Sequence, residues 1–239
     1  MTHRRTVRAV NGLTIPRPSM LCLPLNGNLT DSSGNGYDVT VGSGTERYAS
    51  FLPEGSVKGF YFDGSTYLTR NVRTPALDLI GDMTTEFLIN YLSIGSSSLN
   101  VLIYGANGET LDDNCLWSSV LSINGNISSI NTIWEYGAGL NVTTSFTQTI
   151  NFNETIHVAT VRSGSSFSTY INGSLVGTAT GLTAPQTSAS PIQKLYMGAD
   201  TTLAINTATY ILGGVRIFGS VLTDDQIAED ARSQLSWLY

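Results

Sequence analysis

Paired carboxylates are the residues that would carry hydrolytic chemistry here, because glycoside hydrolysis uses one acid as proton donor and another as nucleophile or base. Two acids placed two residues apart on a β-strand would share one face of a sheet. No two acids in this sequence have that spacing. They occur singly, as at Glu86 and Glu135, or as the neighbours Asp112-Asp113, Asp224-Asp225 and Glu229-Asp230. The spacing therefore predicts a protein that is not an enzyme.

The histidines and cysteines also fail to form a catalytic or zinc-binding pattern. His157 lies in an apolar strand pattern, which favours a structural role, and the other histidine, His3, lies near the start of the chain. Cys22 and Cys115 are too far apart in sequence for a zinc-binding motif. They either form a disulfide or lie buried as two separate thiols. The sequence has neither a G-x-S-x-G nucleophile motif nor a phosphate-binding G-x-x-x-x-G-K-[ST] loop.

Arginines concentrated at the start of the chain are candidates for partner binding. Arg4, Arg5, Arg8 and Arg17 precede the first acid, Asp31. From residue 21 onward, 8 Lys and Arg stand against 18 Asp and Glu, a net charge of −10. We therefore predict an extended basic arm over residues 1–19 that contacts a partner, the alternative being an unstructured start. The acidic remainder would repel phosphates, so nucleic acid is not expected as a partner.

Short apolar runs separated by turn residues fill the chain after the arm and predict about a dozen strands. Residues 83–92 alternate as a strand does, with Phe87, Ile89 and Tyr91 on one face and Glu86, Leu88 and Asn90 on the other. Asn172-Gly173 predicts a hairpin, and Asp63-Gly64 predicts a second hairpin between residues 59–62 and 66–68. Other strands are expected at residues 20–25, 37–41, 101–105, 116–123, 131–136, 155–161, 167–171, 194–198 and 208–218.

One helix is predicted near the C-terminus, over residues 224–235. Thr223 and Gln226 have the spacing of a capping box, and two aspartates follow the cap, where the helix dipole favours anions. Only 13% of residues are charged and 24 are glycine, which suits a sheet protein with many turns. No repeat or linker divides residues 20–239, so we predict one antiparallel β-sandwich after the arm.

The ordered segments of the chain resemble one family of such sandwiches. LPLNGNLTDSSGNGYDVTV, GFYFDGSTYLT and LDLIGDMTTEFLIN resemble the first half of a laminin-G-like or concanavalin-A-like jelly roll. HVATVRSGSSFSTYINGSLVGTATG, KLYMGAD and GGVRIFGSVLTDDQIAED resemble the second half. The resemblance covers about residues 21–235 and implies two curved antiparallel sheets packed face to face. It implies glycan binding or protein adhesion in some members and catalysis in others.

The resemblance also implies two kinds of site. Many relatives hold Ca²⁺ at the segment equivalent to residues 26–36, where Asp31 matches the family acid. Asn26, Asn28 and Gly213-Gly214 stand where relatives often have acids, so we expect weak calcium binding or an Asx turn at Asp31. A sugar site would need aromatic platforms; the available residues are Tyr104, Trp117, Trp134 and Tyr136, with strand aromatics more often belonging to a core.

The context of such a domain gives the functional hypothesis. No apolar run is long enough to span a membrane, and the start lacks the apolar region of an export signal. A virion protein needs no export signal, because it is assembled in the host cytoplasm. We therefore predict a structural or adhesion protein of a bacteriophage virion, either a capsid decoration or a tail or fibre component. Capsid or tail proteins, further copies of the chain and a cell-surface glycan are the expected partners. A free carbohydrate-binding lectin is the alternative, and a glycan-active hydrolase is a third.

Overall fold

A computed structural model shows how the chain folds. It describes residues 17–50, 57–72, 74–79, 81–93, 99–106, 115–123, 130–135, 141–146, 150–181, 193–198 and 208–233. The strands of this part are β1 (Leu21–Leu23), β2 (Thr40–Ser43), β3 (Tyr48–Ser50), β4 (Lys58–Phe62), β5 (Tyr67–Arg70), β6 (Met83–Ser93), β7 (Leu99–Ala106), β8 (Cys115–Ile123), β9 (Ile130–Glu135), β10 (Asn141–Phe146), β11 (Thr155–Ser163), β12 (Ser166–Ile171), β13 (Ser174–Thr180), β14 (Gln193–Met197) and β15 (Thr209–Phe218). A 3₁₀ turn occupies Pro75–Leu77, and the helix α1 spans Asp224–Arg232.

The described strands form two antiparallel sheets that pack as a sandwich, as the sequence predicts. The eight-stranded sheet has the order β13-β12-β11-β6-β15-β4-β3, with β1 also paired to β15. The seven-stranded sheet has the order β10-β9-β8-β7-β14-β5-β2. In each sheet, at least half of the pairings join strands that are not consecutive in the chain, so crossovers as well as hairpins build the sandwich. Within the described residues, no helix has the length and apolar character needed to cross a membrane.

Strand β6 is the centre of the larger sheet, between β11 and β15. Its residues from Met83 to Tyr91 are all buried, on both faces of the strand. Phe87, Ile89 and Tyr91 pack in the main core between the sheets. The opposite face of the sheet is covered in part by α1, whose Ile227 packs in a second cluster that includes Val161, Tyr170 and Phe218. The two faces that the alternation separates are therefore both buried.

The prediction of a hairpin at Asp63-Gly64 is wrong. Strand β4 pairs with β3 and β15 in the larger sheet, whereas β5 pairs with β2 and β14 in the smaller one. The turn therefore carries the chain from one layer of the sandwich to the other. Asp63 closes it, since its Oδ1 accepts hydrogen bonds from Ser65 N at 2.9 Å, Ser65 Oγ at 2.6 Å and Thr66 Oγ1 at 3.0 Å.

The hairpin predicted at Asn172-Gly173 is confirmed. Asn172 and Gly173 have φ values of 50° and 80°, and the turn joins β12 to β13. Asn172 also binds the neighbouring strand, because its Oδ1 accepts from His157 N at 2.9 Å and its N–H donates to His157 O at 2.8 Å. The turn is thereby fixed to β11 as well as to its own two strands.

The capping box at the start of α1 is also confirmed. Thr223 Oγ1 accepts from Gln226 N at 3.3 Å, and Gln226 Oε1 accepts from Thr223 N at 2.9 Å. The helix ends at Arg232, with Ser233 as its C-cap, and is three residues shorter than the sequence predicts. Ile227 and Ala231 are buried against the sheet, which matches the apolar face read from the sequence. Two strands were not predicted, β3 and β10, and both are short and rich in polar or small residues.

Candidate functional site

Asp31 organises the loop between β1 and β2. Only 7% of the residue is exposed. Its Oδ1 accepts from Cys22 N and Ser33 N, both at 2.9 Å, and its Oδ2 accepts from Ser33 Oγ at 2.7 Å and Tyr37 N at 2.9 Å. The Ser33 N–H bond is the Asx turn that the sequence indicates as one of two roles for Asp31. Both oxygens already have two donors each, so the carboxylate is a structural acceptor in this loop.

The residues that stand where the resemblance would place further acids around Asp31 have local roles. Asn28 Oδ1 accepts from Thr30 N at 3.0 Å, and Asn28 Nδ2 donates to Asn26 Oδ1 at 3.5 Å. Gly213-Gly214 lies within β15, where the pairing with β6 shifts register between Leu212 and Val215 and Gly214 has φ of 146°. Across the described ranges, no three His, Cys, Asp or Glu side chains converge as a metal site needs. Calcium binding at Asp31 stays a prediction.

A buried group of charges lies on the outer face of the larger sheet. Glu86 on β6 and Arg216 on β15 are paired in register, and Glu86 Oε2 accepts from Arg216 Nη2 at 2.6 Å. His157 on β11 places its Nε2 3.4 Å from Glu86 Oε1. The side chains of Glu86 and His157 are fully buried and that of Arg216 is 2% exposed. A buried carboxylate is tolerated because a cation and hydrogen bonds compensate it.

The same charges continue into the helix and the N-terminal segment. Asp230 Oδ2 lies 2.8 Å from Arg216 Nη2 and 3.4 Å from Arg17 Nε, and Arg17 Nη2 also contacts Glu229. Burial and the charge of Glu86 raise the pKa of Asp230, while Arg216 and Arg17 oppose that shift. Arg216 therefore serves two carboxylates, and Arg17 supplies the second cation that they require.

Sequence reasoning treats Glu86 as an isolated acid, because nothing near it in the chain is charged to match. Its partner Arg216 is 130 residues away, and only the pairing of β6 with β15 brings them together. His157 is buried, as its predicted structural role requires. Opposite charges on two core strands are the one sequence signal that could have indicated this cluster.

A groove lies where the N-terminus of α1 meets β11 and β12. Its volume is about 520 Å³, and Tyr170, Leu222 and Asp224 are among the residues that line it. Tyr170 is 6% exposed, and its hydroxyl donates to Asp224 Oδ1 at 2.7 Å. Burial and the Asp224 carboxylate raise the pKa of Tyr170, so the phenol stays protonated and holds the helix start on the sheet.

The remaining predicted site residues fall into three groups. Arg17 is described, whereas Arg4, Arg5 and Arg8 lie outside the described residues. The candidate sugar platforms Tyr104, Trp117 and Trp134 lie on the adjacent strands β7, β8 and β9, and Tyr104 pairs with Trp117 in register; Tyr136 lies outside the described residues. Cys22 is a free, half-buried thiol, and Cys115 begins β8. Burial raises the pKa of the Cys22 thiol.

Solved structures with the same fold include domains from botulinum neurotoxins. The receptor-binding domain of the C/D mosaic serotype is 15% identical, with a TM-score of 0.67 over 91% of this chain and 52% of that one. Binding domains of neurotoxin DC in complex with rat synaptotagmin II and with SialylT are each 15% identical, with TM-scores of 0.66 over 90% of this chain and 51% of theirs. The chain thus spans about half the length of these domains, and the likeness shows a shared fold.

Comparison of the sequence with curated proteins and with family models gives two different results. No curated protein matches the chain. The family model Laminin_G_3, described as the concanavalin A-like lectin/glucanases superfamily, matches residues 62–228. This match extends from the last residue of β4 into α1, and so includes most of both sheets. The chain belongs to the concanavalin A-like lectin/glucanase superfamily.

Proposed function

We infer that this chain is a non-enzymatic binding module whose sandwich recognises a glycan or a protein receptor. The observation that carries the proposal is the family match over both sheets, on a frame shared with domains solved as receptor-binding modules. Two of those domains were solved in complex with synaptotagmin II and with SialylT. Recognition of cell-surface groups is therefore the function that this frame supports best.

The environment of Glu86 favours binding over hydrolysis. A general acid must come within about 3 Å of the atom that it protonates. Glu86 lies on the central strand β6, yet its side chain is fully buried and bound to Arg216. A sugar could reach this carboxylate only if α1 and the sheet separated. Glu86 is therefore a structural residue, and hydrolysis remains only the third hypothesis for this chain.

We place the module in a bacteriophage virion, on a capsid, tail or fibre. The basic residues Arg4, Arg5 and Arg8 precede a body with a net charge of −10, and Arg17 fixes the base of this arm on α1. An arm of this kind would attach several copies of the sandwich to capsid or tail proteins, while the sandwich faces outward. Arginines are suited to this role because they bind carboxylates through two parallel hydrogen bonds.

Co-purification with particles tests the virion role. Tagged full-length protein and an Arg4→Gln/Arg5→Gln/Arg8→Gln variant would be expressed during infection, and intact particles separated on a density gradient. We expect the wild type to band with the particles and the variant to remain at the top. The control Lys58→Gln removes an exposed charge from the sandwich itself and should band as the wild type does. Wild-type protein absent from the particle band would contradict the virion role.

A free lectin is the second candidate, and the neighbour solved with SialylT favours it. It differs from the virion protein in one measurable way. A free lectin would bind glycans on an array but would be absent from the particle band, whereas the virion protein would be present there.

A further inference from the structure

The groove beside α1 has walls of two kinds. Its floor is apolar and includes Val161 and Leu222, which are buried, while Val221 at its edge is 37% exposed. Its helical wall carries the exposed carboxylates of Asp224 and Asp225. On the neighbouring strand, Leu175 pairs with Tyr170 and is 53% exposed. A ligand with apolar side chains and cationic groups would satisfy both kinds of wall.

The described chain begins against the same helix, toward the end opposite this groove. Arg17 contacts Glu229 and Asp230, near the C-terminal end of the same helix whose first turn forms the groove wall. A helix of nine residues is about 13 Å long. Residues 1–16 precede Arg17, and they include Arg4, Arg5 and Arg8 but no acid. A basic segment is thus tethered one short helix away from an acidic groove.

We propose that residues 1–16 of the arm dock in this groove on their own sandwich, with the arginines on Asp224 and Asp225. Arg8 precedes Arg17 by nine residues, and nine extended residues reach about 30 Å, more than twice the length of α1. Val7 and Val10 flank Arg8 in sequence and would cover the apolar floor. Tethering by Arg17 raises the local concentration of the arm, so weak individual contacts suffice. The proposal is independent of the virion role, because it concerns the free protein.

The rate of tryptic cleavage reports on this contact directly. Trypsin binds the arginine side chain before it cleaves, so an arginine docked in the groove is protected. The bond after Arg17 precedes Pro18 and resists trypsin, so the arm yields distinct products at Arg4, Arg5 and Arg8. Full-length protein would be digested briefly in low salt, and each cleavage followed by intact-mass spectrometry. We expect cleavage after Arg8 to be at least fivefold slower in the wild type than in Asp224→Asn/Asp225→Asn.

Two further variants separate docking from an effect on the helix. Ser163→Arg places a cation on the opposite wall, leaves α1 unchanged and should accelerate cleavage after Arg8 as well. Glu154→Gln removes an exposed carboxylate elsewhere and should cleave at the wild-type rate. Equal rates after Arg8 in the wild type, the double variant and Ser163→Arg would overturn the proposal. A wild-type rate that rises on hundredfold dilution would also overturn it, by assigning the arm to the groove of a second copy.

Discussion

Arg216 carries the charge on which two buried carboxylates depend. It contacts Glu86 at 2.6 Å and Asp230 at 2.8 Å, and it is almost completely buried. Removing one member of a buried ion pair costs more than the pair itself contributes, because the remaining charge stays without water. The free energy of unfolding should therefore depend strongly on this residue.

Replacing Arg216 with Met should lower the free energy of unfolding by about 3 to 5 kcal/mol, because Glu86 and Asp230 would then share no strong cation between them. Urea denaturation of the purified variant measures the change. The double variant Glu86→Leu/Arg216→Met, which removes one of the stranded carboxylates, should recover part of the loss. A single variant within 0.5 kcal/mol of the wild type, roughly the range of an ordinary surface substitution, would disprove this account of the cluster.

Asp63 gives a prediction about pH. Hydrogen bonds from the Ser65 hydroxyl and backbone, with Thr66, lower the pKa of Asp63 below its usual value of 3.8. A lowered pKa in the folded state means that the ionised form stabilises the fold above pH 3.8, and that this stability is lost as the pH falls through the folded pKa. Asp63→Asn should therefore be less stable than the wild type at pH 6, with the difference in thermal midpoint shrinking toward pH 2.5.

Asp230 acts in the opposite sense, since its pKa is raised by burial and by Glu86. Lowering the pH toward 4 therefore costs no stability through Asp230.

The prediction for Asp63 can be contradicted. A difference in thermal midpoint between wild type and Asp63→Asn that stays constant from pH 6 to pH 2.5 would show that the turn hydrogen bonds do not favour the ionised Asp63.

The hairpin at Asn172-Gly173 and the helix α1 support each other at the level of elements. A Cβ atom on Gly173 would lie 2.8 Å from Ala228 Cα and 3.1 Å from Ala231 Cβ. The turn thus requires glycine twice, once for its φ of 80° and once because the helix packs directly on it. This close approach lets a single small residue set the distance between α1 and the sheet.

Gly173→Ala should be at least twice as destabilising as Gly164→Ala. Gly164 also has a positive φ, at 57°, but nothing lies within 4 Å of its Cβ position, so alanine there costs only the backbone strain of about 1 kcal/mol. Thermal or urea unfolding of the two variants compares strain alone with strain plus the helix contact. Equal losses in the two variants would mean that α1 does not press on this turn.

The elements whose signals are local are the ones that the sequence predicts well. The capping box of Thr223 and the Asn172-Gly173 turn depend on residues within three positions of each other, and both are confirmed. Asp63-Gly64 has the same kind of local signal, but which sheet each flanking strand joins depends on distant partners, so the predicted hairpin was wrong. The contact between Glu86 and Arg216 forms only because the distant strands β6 and β15 pair, so no pattern of neighbouring residues predicts it.

On the scale of the whole molecule, one face of the sandwich joins five parts of the chain. The N-terminal segment at Arg17, the helix at Asp230 and the strands that carry Glu86, His157 and Arg216 meet there. The charged groups that could otherwise take part in catalysis, above all Glu86, instead form the contacts that hold these parts together. A ligand would therefore contact exposed parts of the sandwich and not these buried acids. This is the basis for proposing recognition without catalysis.

A combined binding and cleavage assay tests this central claim most directly. Purified full-length protein would be incubated with a panel of polysaccharides and glycan fragments, including laminarin, agar and peptidoglycan, and with sialylated oligosaccharides. Retention on each ligand and newly formed reducing ends would be measured in the same samples. The account predicts retention on at least one glycan with reducing ends no higher than in a boiled control. Reducing ends that rise with time and enzyme concentration would contradict it and identify the chain as a hydrolase.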